Sequence, residues 1–139
     1  MHAAWKRQVR WWATRNRVSV ITRPLLYVPT AWRGGRPTAW EAREKGIDVR
    51  IALDMAMGAV RDEFDVAVLL SADTDLVPAI EAVLDSGKRV EVASWRPDRG
   101  YGSRLSVARR NVWCHWLGRQ DFEQVSDETD YTKPSTTRP

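Results

Sequence analysis

The sequence has few of the residues from which disulfide frameworks and zinc sites are built. It contains one cysteine, Cys114, and two histidines, His2 and His115, among 139 residues. A single cysteine excludes an internal disulfide and a multi-cysteine zinc site, which favours a reducing compartment. No apolar run approaches the roughly 18 residues of a membrane span, and the basic N-terminal stretch lacks the apolar core of a signal peptide. We therefore expect a cytoplasmic protein with no membrane partner.

Acidic residues are scarce in the first and last parts of the chain and concentrated in its middle. Residues 1–43 hold nine Lys or Arg and one acid, residues 44–92 hold five bases and eleven acids, and residues 93–120 hold six bases and one acid. Basic flanks around an acidic centre suit a protein that attracts a polyanion while keeping carboxylates for a divalent cation. Charges scattered over a solvated surface give similar totals, so the pattern alone leaves both interpretations open.

Length and composition predict one domain. With 43% hydrophobic residues the chain can bury a single core, which we place at residues 1–125, and the apolar-poor residues 126–139 are predicted to be a disordered tail. Apolar positions at helical spacing predict a helix over 3–14, and β-branched residues predict a strand over 17–22. The prolines and glycines between 24 and 37 predict an irregular loop.

The middle of the chain has the pattern of an α/β unit. Helical spacing predicts a helix over 48–60. The run DVAVLL, residues 65–70, is apolar on both faces, which is typical of a strand in the middle of a parallel sheet. A helix over 76–85 and a strand over 89–94 then complete a strand–helix–strand unit whose two strands are parallel neighbours. With a last short strand at 111–114, we predict an α/β fold with a mostly parallel sheet.

Two carboxylates follow the apolar strand 65–70 directly, in the segment SADTD (71–75). In open α/β sheets, ligands bind just beyond the carboxyl ends of the strands. Asp48, at the start of the preceding helix, can reach the same rim. Three carboxylates converging there would be unfavourable without a cation, and oxygen ligands point to magnesium or manganese. The chemistry would be in-line attack on a phosphodiester by metal-activated water.

Each acid also has a structural interpretation. Asp75 can cap the helix predicted to open at Leu76, and Asp48 can cap the helix that it begins. Asp73 is harder to explain in this way, because a second acid two residues away already serves the cap. Asp54 lies roughly 9 Å along the helix axis from Asp48 and about 120° round it, so it is a poorer ligand and a candidate supporting or surface residue.

The run EKGIDVRIALDMAMGAVRDEFDVAVLLSADTDLVPAIEAVLDSGKRVEV, residues 44–92, resembles the central part of NYN domains, which belong to the PIN-like group of metal-dependent nucleases. It joins a K-G-x-D helix start, an apolar strand, S-x-D-x-D and a G-K-R-V strand at fitting intervals, which makes the resemblance more specific than any one motif. The resemblance implies a Rossmann-like, three-layer fold with a parallel sheet, a divalent metal and, usually, RNA as substrate.

The resemblance also assigns site residues. It aligns Asp48 and Asp73 with metal-site acids of the family, Asp75 with a further acid beside them, and Asp54 with an acid that recurs in the motif. All three of Asp48, Asp73 and Asp75 are therefore candidate catalytic and metal-binding residues. Two residues of the same motif are candidates for supporting roles, Ser71 and Thr74.

The front of the family pattern has no counterpart. Family members begin with a central strand that ends in an aspartate, whereas no Asp precedes Asp48 in this chain. We therefore expect the first strand to be missing, so that either the reading frame starts upstream with an apolar strand ending in Asp or the chain fills the gap as a homodimer. Without that acid, a non-catalytic RNA-binding domain is the main alternative. A protein-interaction domain that pairs through its sheet edge is also compatible with the pattern.

The C-terminal third combines basic and aromatic residues that can contact RNA, although at least half of its tryptophans are expected in the core. Basic residues in loops near the proposed rim are the predicted phosphate contacts, namely Lys45, Arg96, Arg99 and Arg104. The adjacent Cys114 and His115 could form a nucleophile and its base. No acid orients that pair in the sequence, however, and burial is the favoured interpretation.

Overall fold

The structure, a computed structural model, describes residues 2–133, with the side chain of His2 left out. The elements run in the order α1 (His2–Ala13), β1 (Leu26–Arg33), β2 (Arg36–Arg43), α2 (Ile47–Val60), β3 (Val66–Leu70), a 3₁₀ turn (Thr74–Leu76), α3 (Val77–Asp85), β4 (Arg89–Trp95), β5 (Trp113–Leu117) and α4 (Arg119–Val125). No described helix has the length and apolar character that crossing a membrane requires. Among the described residues, 2–22 and 126–133 belong to one compact unit, and Arg23–Val125 forms another.

The larger unit contains a three-stranded parallel sheet. Its strand order is β3-β4-β5, with Val66 paired to Arg89 at one end of β3 and Leu70 paired to Ala93 at the other. The α/β class and the parallel pairing of the two central segments are therefore confirmed. The last strand begins two residues later than predicted and ends at Leu117, because its pairing with β4 continues from Glu91 as far as Trp95.

Strand β3 does not lie in the middle of the sheet, as its apolar character had predicted. Among residues 2–133 its only strand partner is β4. Leu69 is buried, but the alternate residues Val68 and Leu70 are 62% and 56% exposed. Parallel sheets are normally covered on both faces, so the described fold leaves one apolar face of β3 and one of its edges open.

Helices α2 and α3 cover the other face of this sheet and form the core with it. Ile80, Val83 and Val92 are completely buried. From α2, Ala59 is part of this core and Met55 packs against it. The apolar residues of α2 from whose helical spacing the helix was predicted do not all belong to this core. Three of them are exposed, namely Val49, Leu53 and Val60.

The segment predicted as an irregular loop, residues 24–37, instead contains β1 and the start of β2, which form an antiparallel hairpin. The connecting Gly34 and Gly35 have φ angles of +57° and +76°. Two consecutive positive φ angles match the twist of the flanking strands, and glycine adopts them without a Cβ clash. Prolines are tolerated in this hairpin because each strand of a two-stranded ribbon has an unpaired edge.

The strand predicted over 17–22 is wrong. These residues have no strand conformation, and Arg17 has a φ of +62°, in the left-handed region. A run of β-branched residues forms a strand only where a neighbouring strand pairs with it, and no described strand pairs with this run.

In the smaller unit, residues 126–133 contact α1 without forming a helix or strand of their own. Arg7 donates from Nε to the Tyr131 carbonyl at 2.8 Å and from Nη2 to the Thr132 carbonyl at 2.9 Å. The rings of Trp11 and Tyr131 meet edge to face, with centroids 6.3 Å apart. The predicted disordered tail, residues 126–139, also includes residues 134–139, which lie outside the described residues. Disorder of this tail stays a prediction.

Candidate active site

The segment SADTD folds into a tight turn directly after β3. The Ser71 hydroxyl oxygen accepts a hydrogen bond from the Asp73 N–H at 3.1 Å, and Asp73 Oδ1 accepts from the Asp75 N–H at 2.9 Å. Asp73 is therefore the N-cap of the 3₁₀ turn. The alternative interpretation of Asp75 as the cap is wrong, because helical structure begins at Thr74, which places the cap position at Asp73.

Asp48 does not cap α2 either. The cap position is Gly46, and the Ile47 N–H donates to Glu44 Oε1 at 2.8 Å. Asp48 lies in the first turn of α2, half-buried, where its charge is favourable beside the free N–H groups of the helix start. No hydrogen bond or ion pair of its carboxylate occurs within residues 2–133.

Asp48 and Asp75 line the same groove, which runs between α2 and the start of α3 and has a volume of about 460 Å³. The rest of its lining is glycine and apolar residues: Gly46, Val49, Ala52, Leu53, Ala56, Pro78, Ala79 and Ala82. The Asp75 carboxylate, like that of Asp48, has no partner among the described side chains. Asp75 is exposed and Asp48 is partly exposed, so both carboxylates are open to solvent on one side of the groove.

The other two predicted acids lie outside the groove lining. Asp73 uses Oδ1 for the cap. Asp54 pairs with Arg50 one turn away, with Arg50 Nε 2.8 Å from Oδ1 and 2.9 Å from Oδ2, and this exposed pair supplies its counter-charge. The structure therefore brings Asp48 and Asp75 together and gives Asp73 and Asp54 partners of their own.

The donor set fits a magnesium-like ion better than a zinc site. In the described part of the chain, no group of three or more His, Cys, Asp and Glu residues is arranged to hold a metal, so the expected convergence of three carboxylates is not found there. Structural zinc sites need four protein ligands, whereas Mg²⁺ is commonly held by one or two carboxylates together with water and substrate phosphate. Asp48 and Asp75 meet that smaller requirement.

A second cavity, of about 320 Å³, lies at the carboxyl ends of β3 and β4. Three hydroxyl side chains line it, those of Ser71, Ser94 and Ser103. Ser94 is only 4% exposed, and its Oγ has no hydrogen-bond partner within the described residues. A buried hydroxyl without a partner is unfavourable by about 1 to 3 kcal/mol. In the sequence, Ser94 follows Val90 and Val92 at alternate positions of β4. Its position on the same buried face was the signal that could have identified this hydroxyl.

A cation missed by the sequence analysis lies beside the first groove. A Cβ built on Gly46 would lie 3.3 Å from Nη1 of Arg23, which places this guanidinium against a residue of the groove lining. The predicted contact Lys45 is the exposed neighbour of Gly46 in the chain. No local pattern could have found Arg23, because it lies more than twenty residues from the motif.

The remaining predicted RNA contacts lie in the segment that follows β4. The Arg96 guanidinium lies over the Trp116 ring, 5.6 Å from its centroid. Arg104 donates to the Val112 carbonyl at 3.4 Å, and Arg99 is exposed. Arg96 and Trp116 border a further cavity with Gly100, Tyr101 and Gly102, which offers a cation and an aromatic face on the same surface.

The alternative nucleophile pair is not supported. Cys114 is buried whereas His115, the next residue of β5, is exposed, because successive side chains of a strand point to opposite faces. His115 does have an acidic partner that the sequence did not reveal, since its Nε2 lies 2.6 Å from Glu91 Oε2. This pair lies on the face opposite the thiol.

Comparison with protein families gives a match that covers most of the chain. The model described as NYN domain matches residues 4–110, which is well over half of the chain and includes both Asp48 and the segment 71–75. The comparison with curated proteins and the comparison with solved structures each gave no significant match.

Proposed function

Because the chain belongs to the NYN domain family, a family of PIN-like nucleases, we propose that it is a metal-dependent ribonuclease that hydrolyses RNA phosphodiesters. The observation that carries this proposal is the pair of unpartnered carboxylates, Asp48 and Asp75, in one groove. That groove begins at the segment following β3, and ligands of parallel sheets bind beyond the carboxyl ends of strands.

In this proposal Asp48 and Asp75 hold Mg²⁺ or Mn²⁺, with Asp73 beside them. When bound, such an ion supplies a Lewis acid for the phosphate and lowers the pKa of a bound water. Asp73 fixes the backbone of Asp75 through its cap, in which only Oδ1 takes part. The groove is open to solvent at Asp75, so an ion held there would keep several of its waters, as Mg²⁺ usually does.

The hydroxyl-lined cavity suits the substrate side of the reaction. Ser94 Oγ lacks a partner, and a hydroxyl can donate to a phosphate oxygen. The Ser71 oxygen accepts from a backbone N–H, which leaves its own proton free to donate. Thr74, the first residue of the 3₁₀ turn, is exposed and lies between Asp73 and Asp75 in the chain. We assign these residues supporting contacts to RNA rather than proton transfer.

RNA would be drawn to this surface by Lys45 and Arg23 at the groove and by Arg96, Arg99 and Arg104 beyond β4. Binding should weaken linearly in the logarithm of salt concentration, because each phosphate contact releases condensed counterions. An affinity that does not change with salt would contradict the assignment.

Cleavage of a 5′-labelled single-stranded RNA tests the enzymatic proposal. The wild type should cleave with Mg²⁺ or Mn²⁺ and not with EDTA. Asp48→Asn and Asp75→Asn should each lose more than the roughly 10- to 100-fold that removal of an outer-shell partner causes. Asp54→Asn is the matched control and should retain activity, because Asp54 is paired with Arg50. Equal activity of all three variants would contradict the proposed site.

A non-catalytic RNA-binding domain is the second candidate. It is favoured by one observation: Asp73, which the family pattern aligns with a metal-site acid, uses an oxygen for capping, and the described residues hold no three-acid group. RNA binding that is unchanged in Asp48→Asn and Asp75→Asn, without cleavage by the wild type in either metal, would support this candidate over the nuclease.

The uncovered edge and face of β3 offer a surface on which a partner can pack. In a Rossmann-like, three-layer arrangement a further layer would cover Val68 and Leu70, which the described fold leaves exposed. We propose that a second copy of the chain covers Val68 and Leu70. We also propose the cytoplasmic location that the sequence favours. The mass of the purified protein in solution tests the dimer, and Leu70→Lys should shift it to monomer. A monomeric wild type would contradict it.

A further inference from the structure

The hairpin β1–β2 carries a set of exposed side chains that neither the family match nor the proposed cleavage site explains. Tyr27, Trp32 and Trp40 are 60%, 61% and 58% exposed. The extensive contacts of each strand are with the other strand, and no other described element packs extensively against them. Isolated two-stranded hairpins are marginally stable in water, so three large uncovered aromatic side chains on one of them need an explanation.

The charge of this hairpin is also one-sided. Residues 23–43 contain four arginines and a single acid, Glu41, which is paired with Arg43 at 2.7 Å. Arg33 and Arg36 flank the Gly34-Gly35 turn and are direct cross-strand partners. Like charges directly opposite each other destabilise a strand pair, and neither arginine has an acidic partner within residues 2–133. An anion between them would remove this repulsion.

We propose that the hairpin β1–β2 is a binding arm for single-stranded RNA, in which unpaired bases stack on Trp32, Trp40 and Tyr27 and phosphates bind Arg33 and Arg36. Flat aromatic side chains next to arginines are the combination by which proteins hold single strands without reading their sequence. In a duplex the bases are already stacked on one another, so their faces are not available to these rings. The proposal rests on the proposed function only in taking RNA as the polyanion.

The strand pairing helps to present the rings. Trp40 lies opposite Pro29, and Trp32 lies opposite Pro37, and both prolines are partly buried whereas both tryptophans are exposed. Rigid proline neighbours restrict the backbone of each pair. The tryptophan side chains opposite them remain exposed, where a base can reach their faces.

The same features argue against a protein strand as the occupant. Each proline removes one backbone donor, and the register shifts twice between Pro29 and Trp32. Prolines and bulges are the devices that prevent an exposed edge from pairing with another strand. The side chains of the hairpin, rather than its backbone edges, are therefore its binding surface.

Fluorescence anisotropy with a 5′-labelled oligouridylate of about 12 nucleotides, a length within the range covered by one such site, tests the inference. EDTA is present throughout, so that cleavage contributes nothing to the signal. Trp32→Ala and Trp40→Ala should each weaken binding by at least about 5-fold, the lower limit for loss of one stacked base. Trp32→Phe should retain most of the affinity because it keeps an aromatic face.

The arginines are tested by salt. Replacing both Arg33 and Arg36 with Gln should reduce the slope of log affinity against log salt by about 1.4, at roughly 0.7 for each single-strand phosphate contact. Trp113→Ala on β5 and Arg89→Gln on β4 are the matched controls, since both residues are exposed and lie outside the hairpin. Both controls should bind like the wild type.

Unchanged affinity of the hairpin variants would overturn the inference. It would also be overturned if Trp32→Ala weakened binding to an RNA duplex of the same length as much as binding to the single strand, because stacking would then not be involved. Asp75→Asn in the same assay separates the two proposals: hairpin-dependent binding should persist in it. Absence of cleavage by the wild type would remove the nuclease proposal alone.

Discussion

Replacing Asp73 and Asp75 one at a time should distinguish a carboxylate that caps from one that binds metal. Asp73 Oδ1 accepts the Asp75 N–H at 2.9 Å, and the Asp75 carboxylate has no described partner. Loss of an N-cap side chain typically lowers stability by about 1 kcal/mol. Asp73→Ala should therefore lower the melting temperature by about 3 to 4 °C in a chain of this size.

Two substitutions complete the comparison. Asn caps as well as Asp, so Asp73→Asn should leave the melting temperature almost unchanged. Asp75→Asn should change stability by less than about 0.5 kcal/mol, because no partner is lost. Any larger loss in Asp75→Asn would show that its carboxylate has a structural role that the geometry does not reveal.

Adding Mn²⁺ then tests binding by the same melting experiment. A ligand present at about 100 times its Kd stabilises the folded state by roughly 2.7 kcal/mol. This metal-dependent rise should persist in Asp73→Asn and disappear in Asp48→Asn and Asp75→Asn, because only the last two carboxylates line the groove. A rise that persists in Asp75→Asn but disappears in Asp73→Asn would refute the reasoning, and the family alignment of Asp73 would then be the better guide.

Substitutions at three further sites, one of them with a compensating change, test the rest of the fold. Lys88 donates to the carboxylate of Asp62 and lowers its pKa through that hydrogen bond and its charge, so the stability that Lys88→Met removes at pH 7 should diminish as pH falls below about 4, where the lowered pKa is crossed. Urea denaturation across pH measures this, and a difference that does not vary with pH would contradict it. A Cβ on Gly58 would lie 2.7 Å from the Phe64 ring, so Gly58→Ala should destabilise by about 1 to 3 kcal/mol despite its helix propensity, and Phe64→Leu should recover part of the loss. Ile80→Ala should lower the unfolding free energy by about 2 to 5 kcal/mol, because the side chain is completely buried.

The parts of the fold that could be predicted from sequence are those whose partners are near in the chain. Helix α2, strand β3, helix α3 and strand β4 follow one another within residues 47–95, and the spacing of their apolar residues predicted the type of each element. The same spacing did not predict burial, because Val49, Leu53 and Val68 are exposed. The family resemblance came from the same segment, and the match over 4–110 confirms the family.

The sequence predictions failed in segments whose structure depends on their hydrogen-bond partners rather than on their local composition. Residues 17–22 have the composition of a strand but no neighbouring strand in the described part of the chain. The hairpin was missed because Gly34 and Gly35 were counted as breakers although they form its turn. The caps were misplaced because moving the start of the 3₁₀ turn by two residues exchanges the environments of Asp73 and Asp75.

The energetically unfavourable features of the described structure lie where the proposed ligands would bind. Two carboxylates, Asp48 and Asp75, share an apolar groove without a cation partner, and the buried Ser94 hydroxyl lacks an acceptor. Arg33 and Arg36 oppose each other across the hairpin. At the other end of β3 and β4, by contrast, Lys88 joins Asp62 and Asp65. A fold optimised for stability alone would compensate all of these groups. A cation between the carboxylates and phosphates at the hydroxyl and guanidinium groups would do so, and these are the ligands that the two proposals assign to them.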